Sequence, residues 1–261
     1  METAIEVTAG LIPAFAVLVA LMAGVVVAGI HRAERAAGVD PDTARGKAAI
    51  WAIGLALWLL ATFAAAWRGV VRFDTVPPTM LLLLAVVLVT SVLLARGRAG
   101  ARVAAGVPLA ALVLAQSFRL PLELIMHQLY RDGLMPVQMS YSGLNYDILT
   151  GLLAIPVGIL YAMRRLPLWV VRAWNVMGLL LLANVLTIAV LSAPTPMRVF
   201  TNEPVNVWVT MAPWVWLPAL LVPLALIGHI VVFRRLRVEG ARQGRRSVAR
   251  MEERTPLAAG R

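Results

Sequence analysis

The chain predicts an all-α membrane protein: a bundle of seven transmembrane helices, with the N-terminus outside and the C-terminus cytoplasmic. Three observations lead there. Of 261 residues, 61% are hydrophobic and only 14% charged, with a mean hydropathy of +0.82, where a soluble domain carries about a quarter charged residues. The apolar residues gather into runs near the roughly 20 residues that cross a bilayer core. The basic residues fall in alternate connections between those runs.

The N-terminus carries Glu2 and Glu6 without a basic stretch, and the apolar run behind them is long. It therefore reads as a retained first span, 9–30, rather than a cleaved leader. Span 2 covers 48–67. Span 3 covers 79–95, behind Pro77-Pro78, which suits a first helical turn; it is nearly pure Leu and Val and is expected to face lipid. Span 4, 103–130, is longer than a bilayer needs, and Pro121 inside it predicts a kink and a freed backbone carbonyl one turn earlier. Spans 5 and 6 cover 145–163 and 168–193. Span 7, 213–233, opens on tryptophans and prolines that read as an interfacial belt. Residues 1–235 thus form a seven-span domain, and 236–261 a basic cytoplasmic tail too poor in apolar residues to pack, expected to be disordered.

Connections after spans 1, 3 and 5, together with Arg172 just inside span 6 and the nine arginines that follow span 7, Arg234 and Arg235 first among them, hold 19 of the 24 Lys and Arg residues, which sets the orientation by the positive-inside rule. The same placement explains the net charge of +11 without a nucleic-acid partner. The expected partner is the lipid bilayer, with anionic lipids held by the tail through Arg242, Arg245, Arg246 and Arg250, at about 1 kcal/mol each. One lysine stands against 23 arginines; with abundant Ala, Val and Leu, this points to a GC-rich bacterium and its inner membrane. No cysteine is present, which excludes disulfides, thiolate metal sites and a cysteine nucleophile. The only lysine, Lys47, lies outside the spans, which excludes a retinal Schiff base. No internal repeat of the inverted-transporter kind is visible.

The chemistry concentrates in 115–147. Arg119, Glu123, His127 and Arg131 fall four apart, along one helix face. Arg119 lies roughly 25 Å along span 4, near the outer edge of the core. Asn145 and Asp147 open span 5 at a similar level, and Arg68, Arg72, Asp74, Asn202 and Glu203 sit in connections able to close over the place. These six candidates, Arg119, Glu123, His127, Arg131, Asn145 and Asp147, would form a polar mouth between spans 4 and 5. Ionisable residues inside a membrane are functional by default, so the mouth would bind or transport a small polar or anionic ligand, or protons. Three alternatives stand beside this. The polar face could be an interhelical fastener in an accessory subunit. Glu123 and His127, with Asp147 orienting the imidazole, could serve an intramembrane enzyme acting on a lipid-like or quinone-like substrate. As a metal site, Glu123, His127 and Asp147 form a weak set that Arg119 and Arg131 would repel, and Met126, Met135 and Met139 would be needed for Cu(I). His31 and His229 could hold a haem between helices, with Gly228 permitting close approach; interfacial histidines are commoner, and no cofactor is assigned. Asn175 and Asn184 are expected to hydrogen-bond to neighbouring helices.

Overall fold

The computed structural model describes residues 2–254, with side chains from 10 to 241. It is all-helical, without a strand among those residues. Six helical stretches are long and apolar enough to cross a membrane, and a shorter apolar helix lies at 148–162. The helices are α1 (Glu2–Ala36), α2 (Pro41–Trp67), α3 (Thr79–Arg96), α4 (Arg98–Gly106), α5 (Leu109–Ala115), α6 (Arg119–Arg131), α7 (Ile148–Ala162), α8 (Leu168–Leu191) and α9 (Val222–Arg254). The tail expected to be disordered from 236 begins inside α9. Arg242, Arg245, Arg246 and Arg250 lie outside the residues whose side chains are described.

Helix α9 is central and packs on α3, α4, α5 and α8. The α1–α2 pair flanks this body, α1 packing on α4 and α6. Asp40 caps α2, its carboxylate accepting from the Thr43 amide at 2.9 Å, so Lys47 falls in the second turn of this helix rather than in a loop. Its ammonium is spent on buried Glu34 at 2.7 Å, which also accepts from Arg102. One carboxylate thereby ties α1, α2 and α4.

The expected overlong span 4 is divided. Val107 and Pro108 are extended, and α4 is a separate nine-residue helix. Because Pro108 has no N–H, it cannot continue the ladder to Ala104, and the end of α4 is left with orphan carbonyls. Arg235 of α9 supplies the donors, its Nη1 reaching the carbonyls of Ala104 at 3.1 Å and Ala105 at 2.7 Å. Its neighbour Arg234 does the same for α3, at 2.6 Å to Ala95 O and 3.0 Å to Gly97 O. Cations also suit the negative ends of helix dipoles. The membrane-capable stretch is therefore Leu109–Arg131, and Arg119 stands near its middle instead of its edge. The bend near Pro121 takes the form of a 3₁₀ turn at Gln116–Phe118 between α5 and α6.

A second proline effect joins the flanking pair to the body. The chain enters α9 through a widened π turn, Leu217–Leu221. Pro223 cannot donate to Ala219, and the Trp58 indole of α2 donates to that carbonyl instead, at 2.9 Å. Trp216 returns the contact to Leu59 O at 3.0 Å. Trp208 and Trp214 are buried in the core, with Trp214 against Phe15 at 4.9 Å. These tryptophans are internal packing and hydrogen-bonding groups, not a belt at the membrane surface.

Arg235→Leu is expected to lower unfolding free energy in detergent by about 1.5–3 kcal/mol, the worth of hydrogen bonds to a charged group. Arg237→Leu, at an exposed position of the same helix, should leave it unchanged. Denaturant titration followed by circular dichroism reads both.

Candidate functional site

Residues 132–147, between α6 and α7, turn inward, and Met135, Gln138, Met139, Ser140 and Asn145 are all buried. Non-helical backbone at depth must have its polar groups met locally. Here the Leu144 amide donates to Gln138 O, those of Gly143 and Asn145 donate to Ser140 O, and Asn184 of α8 donates to Leu144 O at 2.8 Å. This segment delivers Asn145 and Asp147 to the bundle interior. The Asn145 Oδ1 accepts from the Asp147 amide at 3.0 Å, a side-chain turn of the kind Asn favours. Asp147 is thereby held at the N-terminus of α7, where the helix dipole favours a carboxylate.

Arg119 enters from α6 and is 1% exposed. Its Nε donates to Asp147 Oδ2 at 2.8 Å, while Asp147 Oδ1 accepts from Thr150 at 3.1 Å. The Arg119 Nη1 lies 2.9 Å from His229 Nε2 of α9. A guanidinium only donates, so His229 Nε2 is the acceptor and its Nδ1 carries the hydrogen. That hydrogen points to Asn175 Oδ1 of α8 at 2.8 Å, and Asn175 Nδ2 donates back to the His229 carbonyl at 3.1 Å. The whole relay is fixed in direction. Room for it comes from glycines at the helix crossings. A Cβ on Gly178 would stand 2.6 Å from His229 Cε1, and one on Gly151 would stand 2.4 Å from the Leu120 amide nitrogen.

One turn from Arg119, Glu123 is 2% exposed. Both its oxygens accept from Asn145 Nδ2, at 3.0 and 2.8 Å, and that nitrogen also donates to Met139 O at 2.9 Å. Two carboxyl groups, Glu123 and Asp147, therefore stand with one guanidinium. The Arg119 Nη2 is buried without a hydrogen-bond partner among the described residues.

Of the six residues singled out by spacing, the structure brings together Arg119, Glu123, Asn145 and Asp147. His127 is turned away: its Nδ1 lies 2.8 Å from Ser140 Oγ and its ring stacks on Tyr141 at 4.2 Å. Arg131, in the last turn of α6, is exposed. The Glu123–His127–Asp147 metal set is thus divided, and no group of three such ligands forms among the described residues. Both nitrogens of His229 are engaged and Gly228 faces the Gln116 amide, so the approach once read for a haem serves side-chain packing. His229 and Asn175 are the members that spacing missed. The available signal was a glycine beside each in an apolar run, Gly228 next to His229 and Gly178 one turn from Asn175, the mark of a close helix crossing.

This cluster forms the polar end of a narrow apolar cavity between α3, α6, α8 and α9, with a volume of ≈ 80 Å³. Arg119, Glu123 and Asp147 line it, with walls such as Met126, Met139, Leu182, Leu186 and Leu221. The connections do close over it, with Phe73, Asn206 and Val209. The charged loop residues stay outside. Arg72 and Asp74 are exposed and paired, at 2.5 Å, and the hydrogen bonds from Arg72 hold the Asp74 carboxyl below the usual carboxylate range. Glu203 pairs with Arg198 at 3.1 Å, and Asn202 donates to Gln138 at 2.7 Å.

Fold and site together define a multi-pass helical membrane protein with a buried charged cluster facing an apolar cavity. Residues 76–237 match the family described as a domain of unknown function, DUF8737, and the chain belongs to that family. No curated protein and no solved structure matches it. The matched residues include every member of the polar cluster.

Breaking a buried ion pair from one side costs about 3–5 kcal/mol. Arg119→Leu and Asp147→Leu alone should each lose roughly that much unfolding free energy, and the double substitution distinctly less than their sum. A double-mutant cycle in detergent measures the coupling.

Proposed function

We propose that this chain is a ligand-binding or ligand-transporting protein of the bacterial inner membrane, crossing it seven times with the N-terminus outside. Helix α7 is the seventh crossing. At about 22 Å it is shorter than a ~30 Å core, and the inserted 132–147 segment makes up the remaining depth. The asymmetry of basic residues supports the orientation. The domain division, with a tail from 236 that lies on anionic lipid, belongs to the same proposal.

The carrying observation is a buried guanidinium at a cavity wall with one nitrogen, Nη2, left without a partner among the described residues. Buried polar groups are normally hydrogen-bonded, and each exception calls for an explanation. A fastener needs only the Arg119–Asp147 pair; the cavity and the spare donor are superfluous to it. The enzyme reading loses its base, because His127 is bonded to Ser140 rather than directed at Glu123 or Asp147. The site therefore serves binding, with Arg119 as anchor, Asp147 and His229 fixing its direction, and Glu123 as the second carboxyl.

Arg119→Lys keeps a cation for Asp147 but cannot span Asp147, His229 and a ligand together. Protein purified from native membranes is expected to carry a small molecule near one per chain, seen by mass spectrometry of the organic extract and lost from Arg119→Lys. Identical extracts holding only bulk phospholipid, from a variant that still melts cooperatively, would overturn the reading.

A further inference from the structure

Away from the buried cluster, an open furrow of ≈ 780 Å³ runs between α1 and α2. Ala20, Gly24 and Ala28 line it from α1, and Ala49, Ala52 and Ala56 from α2. Small residues in membrane helices usually let two backbones approach, but Gly24 does not serve that end. A Cβ built on it meets no atom within 4 Å, and glycine weakens a helix interior relative to alanine. Packing within the chain therefore does not ask for glycine there; what its missing side chain gives is depth in the furrow. The lining stretch of α2 is also tied at both ends, by Lys47 to Glu34 of α1 at 2.7 Å and by Trp216 to Leu59 O at 3.0 Å.

The length of the furrow and the charge at its mouth name an occupant. Ala20 at the deep end and His31 at the mouth are eleven residues apart on α1, about 16 Å along a helix, which is half of a ~30 Å bilayer core. That is the reach of the acyl chains of one leaflet. The mouth is polar, lined by His31 and Arg45. Arg45 holds Asp42 at 2.8 Å through Nη1 alone, in a pair that is exposed on both sides; such pairs contribute little, and the other guanidinium N–H groups remain for a ligand. Around the mouth Arg32, Arg35, Arg45, Lys47 and Arg102 stand against Glu34, Asp40 and Asp42, an excess that favours an anionic head over a zwitterionic one. A second copy of the chain suits the furrow less well. A two-fold interface sets the same patch of each chain face to face, and a furrow against a furrow offers no ridge to fill it. We propose that this furrow binds one anionic phospholipid, its acyl chains lying along Gly24 and Ala52 and its phosphodiester accepting hydrogen bonds from Arg45 and His31. Its assignment to the cytoplasmic leaflet rests on the orientation proposed above; the site itself does not.

The test is native mass spectrometry of the purified full chain in detergent, titrated with phosphatidylglycerol and with phosphatidylcholine of the same acyl chains. It reads the site whichever leaflet it serves. The expected result is one phosphatidylglycerol per chain, held at least about fivefold more tightly than phosphatidylcholine, the worth of one arginine near a lipid surface. Gly24→Phe puts a ring where a Cβ has open space; it should weaken that adduct by more than about tenfold and leave the thermal melt unchanged. Ala52→Phe should do the same if Gly24→Phe misfolds. Arg45→Gln should lower the preference for phosphatidylglycerol by about fivefold while both lipids still bind. Adducts held by the basic tail should persist in every variant. Equal affinity of the wild-type protein for the two lipids would overturn the anionic head. A phosphatidylglycerol adduct that neither furrow-filling variant weakens, or no retained lipid at all, would overturn the site. A wild-type dimer that Gly24→Phe splits would overturn the lipid in favour of a second copy.

Discussion

A single guanidinium inside an apolar bundle sets the conditions for the rest of this structure. A charge at that depth is expensive unless paired and hydrogen-bonded, and Arg119 draws on three other helices to meet the requirement. Asp147 has to lie well inside the bundle, so α7 begins late and the 132–147 segment turns inward. His229 must present a bare nitrogen, so Asn175 holds its other one. Gly178 and Gly151 keep the crossings narrow enough for these distances. The interaction thus governs helix length, loop path and residue size at sites remote from one another in sequence.

Much of this was legible before any coordinates. Apolar runs gave the helical membrane class, and the four-residue spacing of Arg119 and Glu123, followed by Asn145 and Asp147, marked four members of the cluster. Periodicity could not say where the shared face leaves the interior. The last two turns of α6 carry His127 to a serine and Arg131 into the open. His229 is 110 positions from its partner, and no local pattern links them. The cavity was illegible for a different reason: lipid and a cavity wall ask for the same apolar residues, so Leu182 and Leu186 look like any lipid-facing leucine.

Proline was the signal read incompletely. Pro108 and Pro223 each remove a donor, and each vacated carbonyl is answered by a side chain from elsewhere, Arg235 in one case and Trp58 in the other. Placing the start of the fourth crossing ahead of Pro108 displaced Arg119 from mid-span to the rim. Counting Arg234 and Arg235 only toward membrane orientation overlooked that the same residues terminate α3 and α4. Arginines that read as orientation signals in the sequence are helix caps in the structure.

The Trp58 bond to the Ala219 carbonyl has a bearing on how the protein is made. A ribosome delivers α2 long before the turn at 217–221, so for most of synthesis the Trp58 indole has no native acceptor, and Arg119 likewise waits for His229. An unmet carbonyl in hydrocarbon costs several kcal/mol, and it exists only once the final helix has emerged. The α1–α2 hairpin and α9 therefore complete each other in one closing event, and a nascent chain halted before 217 lacks the Trp58 acceptor, the His229 nitrogen that Arg119 meets and the α9 wall of the cavity.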